Sequence, residues 1–102
     1  MLIYIPSLAN VRHARIEELS QISELIQEIR NMENIREKQP SHFYYKGKNI
    51  IHFHMDNSDI FADIGNKRIK IDIPLNAIQI DKIKTEIKTY ELEIASAREM
   101  SQ

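Results

Sequence analysis

The chain has 102 residues, too few for a Rossmann dehydrogenase, a TIM barrel or a two-domain enzyme, so residues 1–102 read as a single domain. Its 14 basic and 15 acidic side chains leave a net charge of -1, which exerts no global pull toward nucleic acid or anionic lipid. With no cysteine there is no disulfide framework, thiolate zinc site or cysteine nucleophile, a composition that fits a cytoplasmic location.

Met1 to Ile5 are apolar, but Pro6 ends the run before it reaches signal-peptide length, and no stretch approaches a membrane span. These first residues read as a short strand or an arm. From Val11 to Asn31 neither glycine nor proline occurs, and Ile16, Leu19, Ile22, Ile26 and Ile29 fall three and four apart. That spacing predicts an amphipathic helix, with Ser7 or Asn10 as its cap. Residues 32–41 read as a polar connector with room for a short edge strand, since Pro40 stops any continuing helix.

The period then drops to two. Residues 42–46, 49–55, 60–64 and 68–73 read as four strands, separated by Gly47, by Asp56-Asn57-Ser58-Asp59 and by Gly65-Asn66-Lys67. From Asn76 or Asp81 to Ala97 a second helix is expected, with Ile80, Ile83, Ile87, Tyr90, Ile94 and Ala97 on one face. The expected fold is an α+β two-layer sandwich in the order α-β-β-β-β-α. A four-stranded antiparallel meander is covered on one face by the N-terminal and C-terminal helices.

With Asn57-Ser58 at a hairpin tip, Met55 faces Ile60, His54 faces Phe61, Phe53 faces Ala62 and His52 faces Asp63. A four-residue turn from Gly65 to Arg68 would then set Ile64 opposite Ile69 and Asp63 opposite Lys70. Ile51, Phe53, Met55, Ile60, Ala62, Ile64, Ile69, Ile71 and Ile73 share the covered face in that register. Phe43, Tyr45, Ile50, His52, His54, Phe61, Asp63, Lys70 and Asp72 share the other. No third layer is available for those aromatics, so Phe43, Tyr45, Ile50 and Phe61 are candidate anchors of an interface.

Three functional readings follow. The first is a binding or assembly module, homodimeric through the outer sheet face, with His52 and His54 beside Asp63 making the contact sensitive to pH. The second is a metal-dependent, hydrolase-like enzyme in which His52 and His54, two apart on one strand face, hold zinc, iron or manganese with Asp63, opposite His52, or with Asp56, two residues beyond His54. The plainer account of the same residues is a cross-strand polar row of His52, Asp63 and Lys70. The third is nucleic-acid contact at a basic hairpin end made of Lys46, Lys48, Lys67 and Arg68, against which the overall charge balance argues. Walker and dinucleotide fingerprints are excluded by two isolated glycines.

The run from Phe43 to Asp56, followed by Phe61-Ala62-Asp63-Ile64, resembles a group of small bacterial α+β proteins without an assigned activity. They share an F-Y-x-K/R-x-K hairpin, an H-F-H strand and an A-D strand. The layout of helix, antiparallel strands and helix is also similar to YjbR-type domains. The resemblance covers residues 35–73 and implies that His52, His54 and Asp63 belong to a shared motif.

Overall fold

The computed structural model describes residues 11–100, so the readings of Met1 to Ile5 and of Ser7 or Asn10 lie outside the described residues. In chain order the elements are β1 (Val11–His13), α1 (Ile16–Leu19), a 3-10 turn (Ser20–Ile22), α2 (Ser23–Arg30), β2 (Ile35–Gln39), β3 (His42–Tyr45), β4 (Lys48–Asp56), β5 (Asp59–Ile64), β6 (Lys67–Lys70) and α3 (Ala77–Met100). The architecture is α+β, with a helical layer packed on one face of an antiparallel sheet. Among the described residues the sheet has six strands rather than four, in the order β2-β3-β4-β5-β6 with β1 also on β4.

The two additional strands have local causes. Ile35–Gln39 lies in the polar connector as an edge strand, turned back by Pro40 and by Ser41, whose φ is 66°. Val11–His13 was expected to open the first helix and instead pairs antiparallel with β4, Arg12 opposite Met55 and His13 opposite His54. The helix starts only after Arg15, because Glu18 accepts the Arg15 backbone N–H at 2.9 Å and simultaneously grips the Arg12 guanidinium at 2.7 and 2.6 Å. That guanidinium, joined by the backbone hydrogen bond, holds the Glu18 carboxyl down at about 2. The 3-10 turn then shifts the helical phase. Leu25 joins Ile22, Ile26 and Ile29 in the core, while Ile16, placed by periodicity on the apolar face, is 70% exposed.

The hairpin between β4 and β5 has the expected register, from His52 opposite Asp63 to Asp56 opposite Asp59. The next hairpin slips by two residues. Gly65-Asn66 forms a two-residue turn, so Ile64 faces Lys67, Asp63 faces Arg68, Ala62 faces Ile69 and Phe61 faces Lys70. Gly65 has φ 63°, the conformation that a tight turn with glycine first requires, and this shorter turn outcompetes the four-residue loop. A slip of two preserves the side-chain face, so Ile69 and Ile71 still turn inward, whereas Ile73 lies beyond β6 and is exposed.

A larger correction concerns Phe43, Tyr45 and Ile50, expected on the outer face. All three are core residues, at 0%, 8% and 0% exposure. The cause is a bulge between β3 and β4: Tyr45 faces Lys48 and Tyr44 faces Asn49, but Phe43 faces Ile51, leaving Ile50 as the extra residue. One inserted residue inverts the alternation, so Phe43 and Tyr45 point the same way as Phe53 and Met55. Tyr44, not Tyr45, faces outward with Asn49.

Helix α3 closes the core with Ile80, Ile83, Ile87 and Ile94, while Ala97 is exposed. Asn76 caps it by accepting the Gln79 backbone N–H at 2.9 Å. The Gln79 side chain, instead of completing a capping box, accepts the Asp72 N–H at 2.7 Å and donates to the Lys70 carbonyl at 2.8 Å. It thus ties the end of β6 to the first turn of α3.

Candidate functional site on the outer sheet face

The chain has only four histidines, at 13, 42, 52 and 54, and the fold brings all of them onto the outer face of the sheet. Strand pairing explains the convergence. Strands β3 and β1 lie end to end along the same edge of β4, β3 against its first half and β1 against its second. His42 begins β3 and His13 ends β1, so they meet beside the middle of β4, where His52 and His54 alternate outward. Ring centroids are 5.4 Å apart for His13–His42, 5.9 Å for His13–His52 and 6.2 Å for the parallel pair His42–His52.

On the other side of β4 the grid continues into β5 and β6. One row runs His42, His52, Asp63, Arg68; the next runs His13, His54, Phe61, Lys70. Asp63 is the hub, its Oδ2 being 3.2 Å from His52 Nε2 and 2.8 Å from His54 Nδ1. Its Oδ1 accepts a hydrogen bond from Arg68 Nε at 3.0 Å. His52 Nδ1 also meets Asn49 Oδ1 at 3.0 Å, and that second contact, with Asp63, orients the ring from both ends. His54 stacks on Phe61 at 5.4 Å and is only 4% exposed. Its approach to Asp63 is close in distance but off the line of a hydrogen bond, so neither ring nitrogen of this buried imidazole has a hydrogen-bond partner. A buried polar ring left in that condition is costly and calls for an explanation.

Burial sets the electrostatics of the row. The His52 pKa is lowered mainly by desolvation, against the upward pull of Asp63, with His13, His54 and Arg68 lowering it further. Desolvation also lowers His42, reinforced by His13 and His52. Both rings are therefore held toward the neutral form, in which an imidazole offers one donor and one acceptor.

Sequence reasoning brought together His52, His54, Phe61 and Asp63 in the register that the structure has and missed His13 and His42. Only the pairing of β1 and β3 with the same edge of β4 could have revealed them. Among the described residues no group of three or more His, Asp or Glu is arranged to hold a metal ion. Asp63 contacts both imidazoles directly. The depression beside it, lined by His52, Gly65, Asn66, Lys67 and Arg68, is open rather than enclosed.

The cations of the basic hairpin end are gathered as expected but are committed to internal partners. Lys67 pairs with Glu86 at 2.6 Å and Arg68 with Asp63 at 3.0 Å. The Lys46 ammonium lies 5.5 Å from the Tyr45 ring centre and that of Lys48 5.8 Å from Tyr90. Among the described residues no helix is long and apolar enough to cross a membrane. Comparisons with protein-family models, with curated proteins and with solved structures find no match to this chain.

Proposed function

We propose that this chain is a small binding and assembly module that works through the outer face of its sheet, pairing there with a second copy of itself. The carrying observation is the layout of charge on that face. Strand β5 presents Asp59 and Asp63 with Phe61 between them, and neighbouring β6 presents Arg68 and Lys70. A twofold axis parallel to the strands and between β5 and β6 sets the acidic column of one copy against the basic column of the other, so that Asp63 and Asp59, paired with Arg68 and Lys70 in their own chain, also meet the partner copy's cations. A surface holding both halves of a complementary pattern is what an isologous dimer needs. Phe61, half-buried on the His54 ring, supplies the aromatic anchor. Phe43, Tyr45 and Ile50 take no part, since they belong to the core.

The test is molar mass by sedimentation equilibrium over a wide concentration range. The wild-type chain is expected to dimerise, and Phe61→Asp to remain folded by circular dichroism but monomeric. Reversing the charge of Lys70 with Lys70→Glu should weaken dimerisation, and adding Asp59→Lys should restore it by re-creating complementary columns. A wild-type chain that stays monomeric throughout, or a Phe61→Asp variant that dimerises normally, overturns the reading.

A further inference from the structure

We infer that the four-imidazole cluster is a proton sensor that releases strand β1 from the sheet on acidification. The device goes beyond self-association and operates equally in a monomer.

Among the described residues β1 spans Val11–His13 and pairs with β4. Its last residue, His13, sits opposite His54 and touches the rings of His42 on β3 and His52 on β4. The seam between β1 and the rest of the sheet is thus lined by imidazoles from both sides. Neutral, these rings pack as flat, weakly polar surfaces. Protonated, they become like charges at the ring spacings given above, in a partly buried setting where repulsion is poorly screened.

The surrounding charges decide which contact yields. On the β5 side Asp63 faces His52 and His54 and compensates positive charge there. Strand β6 adds Arg68 and Lys70, the first bound to Asp63 and the second 3.7 Å from Asp59. On β4 itself Asp56 lies opposite Val11, one pair beyond Met55 and Arg12. Strand β1 contributes Arg12, whose charge is already matched by Glu18 of α1. Asp63 makes its carboxylate contacts with the cluster on the β5 side, while the ring contacts of His13 with His42 and His52 lie at the β1 seam. The strands β3, β4 and β5 are anchored by the buried side chains of Phe43, Ile51, Phe53 and Ala62 beneath them. Strand β1 carries His13, whose ring meets those of His42 and His52 across the seam, and its departure relieves the repulsion. It also uncovers His54, whose ring nitrogens have no hydrogen-bond partner in the closed state and gain access to water in the open one.

The sign follows from the same geometry. His42 and His52 are held below the usual histidine value, so the closed form binds fewer protons than an opened one. Their contribution to closure is complete above the ordinary histidine pKa of about 6.5 and is lost as pH falls through the lowered values.

Amide hydrogen exchange on the full-length chain, corrected for the intrinsic pH dependence of exchange, tests the device. The reporter is the Ala14 amide, which donates to the Phe53 carbonyl at 3.2 Å, together with the β1 amides. Their protection is expected to fall by about tenfold or more between neutral and mildly acidic pH, the response of one opening proton at about one pH unit below its pKa, while protection in β5 holds. His42→Gln, which removes one imidazole on β3 and leaves the β1 sequence unchanged, should move the loss to lower pH; His13→Gln should do so more strongly. Unchanged β1 protection across the range overturns the proposal. So does loss of β1 and β5 protection together, and so does a pH response that both variants leave where it was. Repeating the series over a wide range of protein concentration separates it from any effect of dimerisation.

Discussion

Phe43→Ala distinguishes the core from the interface most directly. Phe43 is fully buried, packed opposite Ile51 beneath the helical layer. Truncation to alanine removes roughly 150 Å² of buried apolar surface, worth about 4 kcal/mol at ~25 cal/mol per Å². A cavity term brings the expected loss to about 4–5 kcal/mol, a large share of the ~5–15 kcal/mol that a domain of this size possesses. Urea denaturation followed by far-UV circular dichroism at pH 8 is the assay. At a slope of roughly 1–3 kcal/mol per molar urea, the midpoint should fall by about 2 M. Phe61→Ala serves as the contrast, since that ring is partly exposed and stacks on His54; its expected loss is about 1 kcal/mol. A Phe43→Ala loss below about 1 kcal/mol, or one smaller than that of Phe61→Ala, would refute the bulge and return Phe43 to the outer face.

Gln79→Leu removes the hydrogen bonds to Asp72 N–H and the Lys70 carbonyl, and should cost about 1–3 kcal/mol by urea midpoint, with Asn76 capping intact. A neutral result would mean that water replaces both bonds at no loss. The two glycines separate strain from crowding. Both have positive φ, but a Cβ on Gly65 would meet the Tyr90 ring at 3.2 Å, while on Gly47 it would meet open space. Gly65→Ala should therefore lower the thermal midpoint more than Gly47→Ala, whose cost is the backbone term of about 1 kcal/mol alone. Equal shifts would remove Tyr90 from the account.

Much of the fold is legible along the chain because its causes are local. Asn57-Ser58 between alternating runs sets the β4–β5 register, and through it the meeting of His52 with Asp63 and of His54 with Phe61. The spacing of Ile80, Ile83 and Ile87 announces α3, and Asn76 its start. Where a choice depended on competition between two local solutions, pattern alone did not decide. Gly65-Asn66 closes a shorter turn than the periodicity of residues 68–73 suggested, and the outcome differs by a shift that leaves the faces unchanged.

What only the tertiary structure decided follows from long-range pairing. The bulge at Ile50 inverts β3 relative to simple alternation because Phe43 and Tyr45 bury more apolar surface inward than they could outward. His13 and His42 carry no periodic or motif signal; 29 positions apart in the chain, they come within 5.4 Å because β1 and β3 share one edge of β4. Hydrophobic period and turn chemistry are properties of neighbouring residues and can be read in order. Which strands share an edge, and therefore which polar groups assemble on the uncovered face, is settled by burial summed over the whole chain.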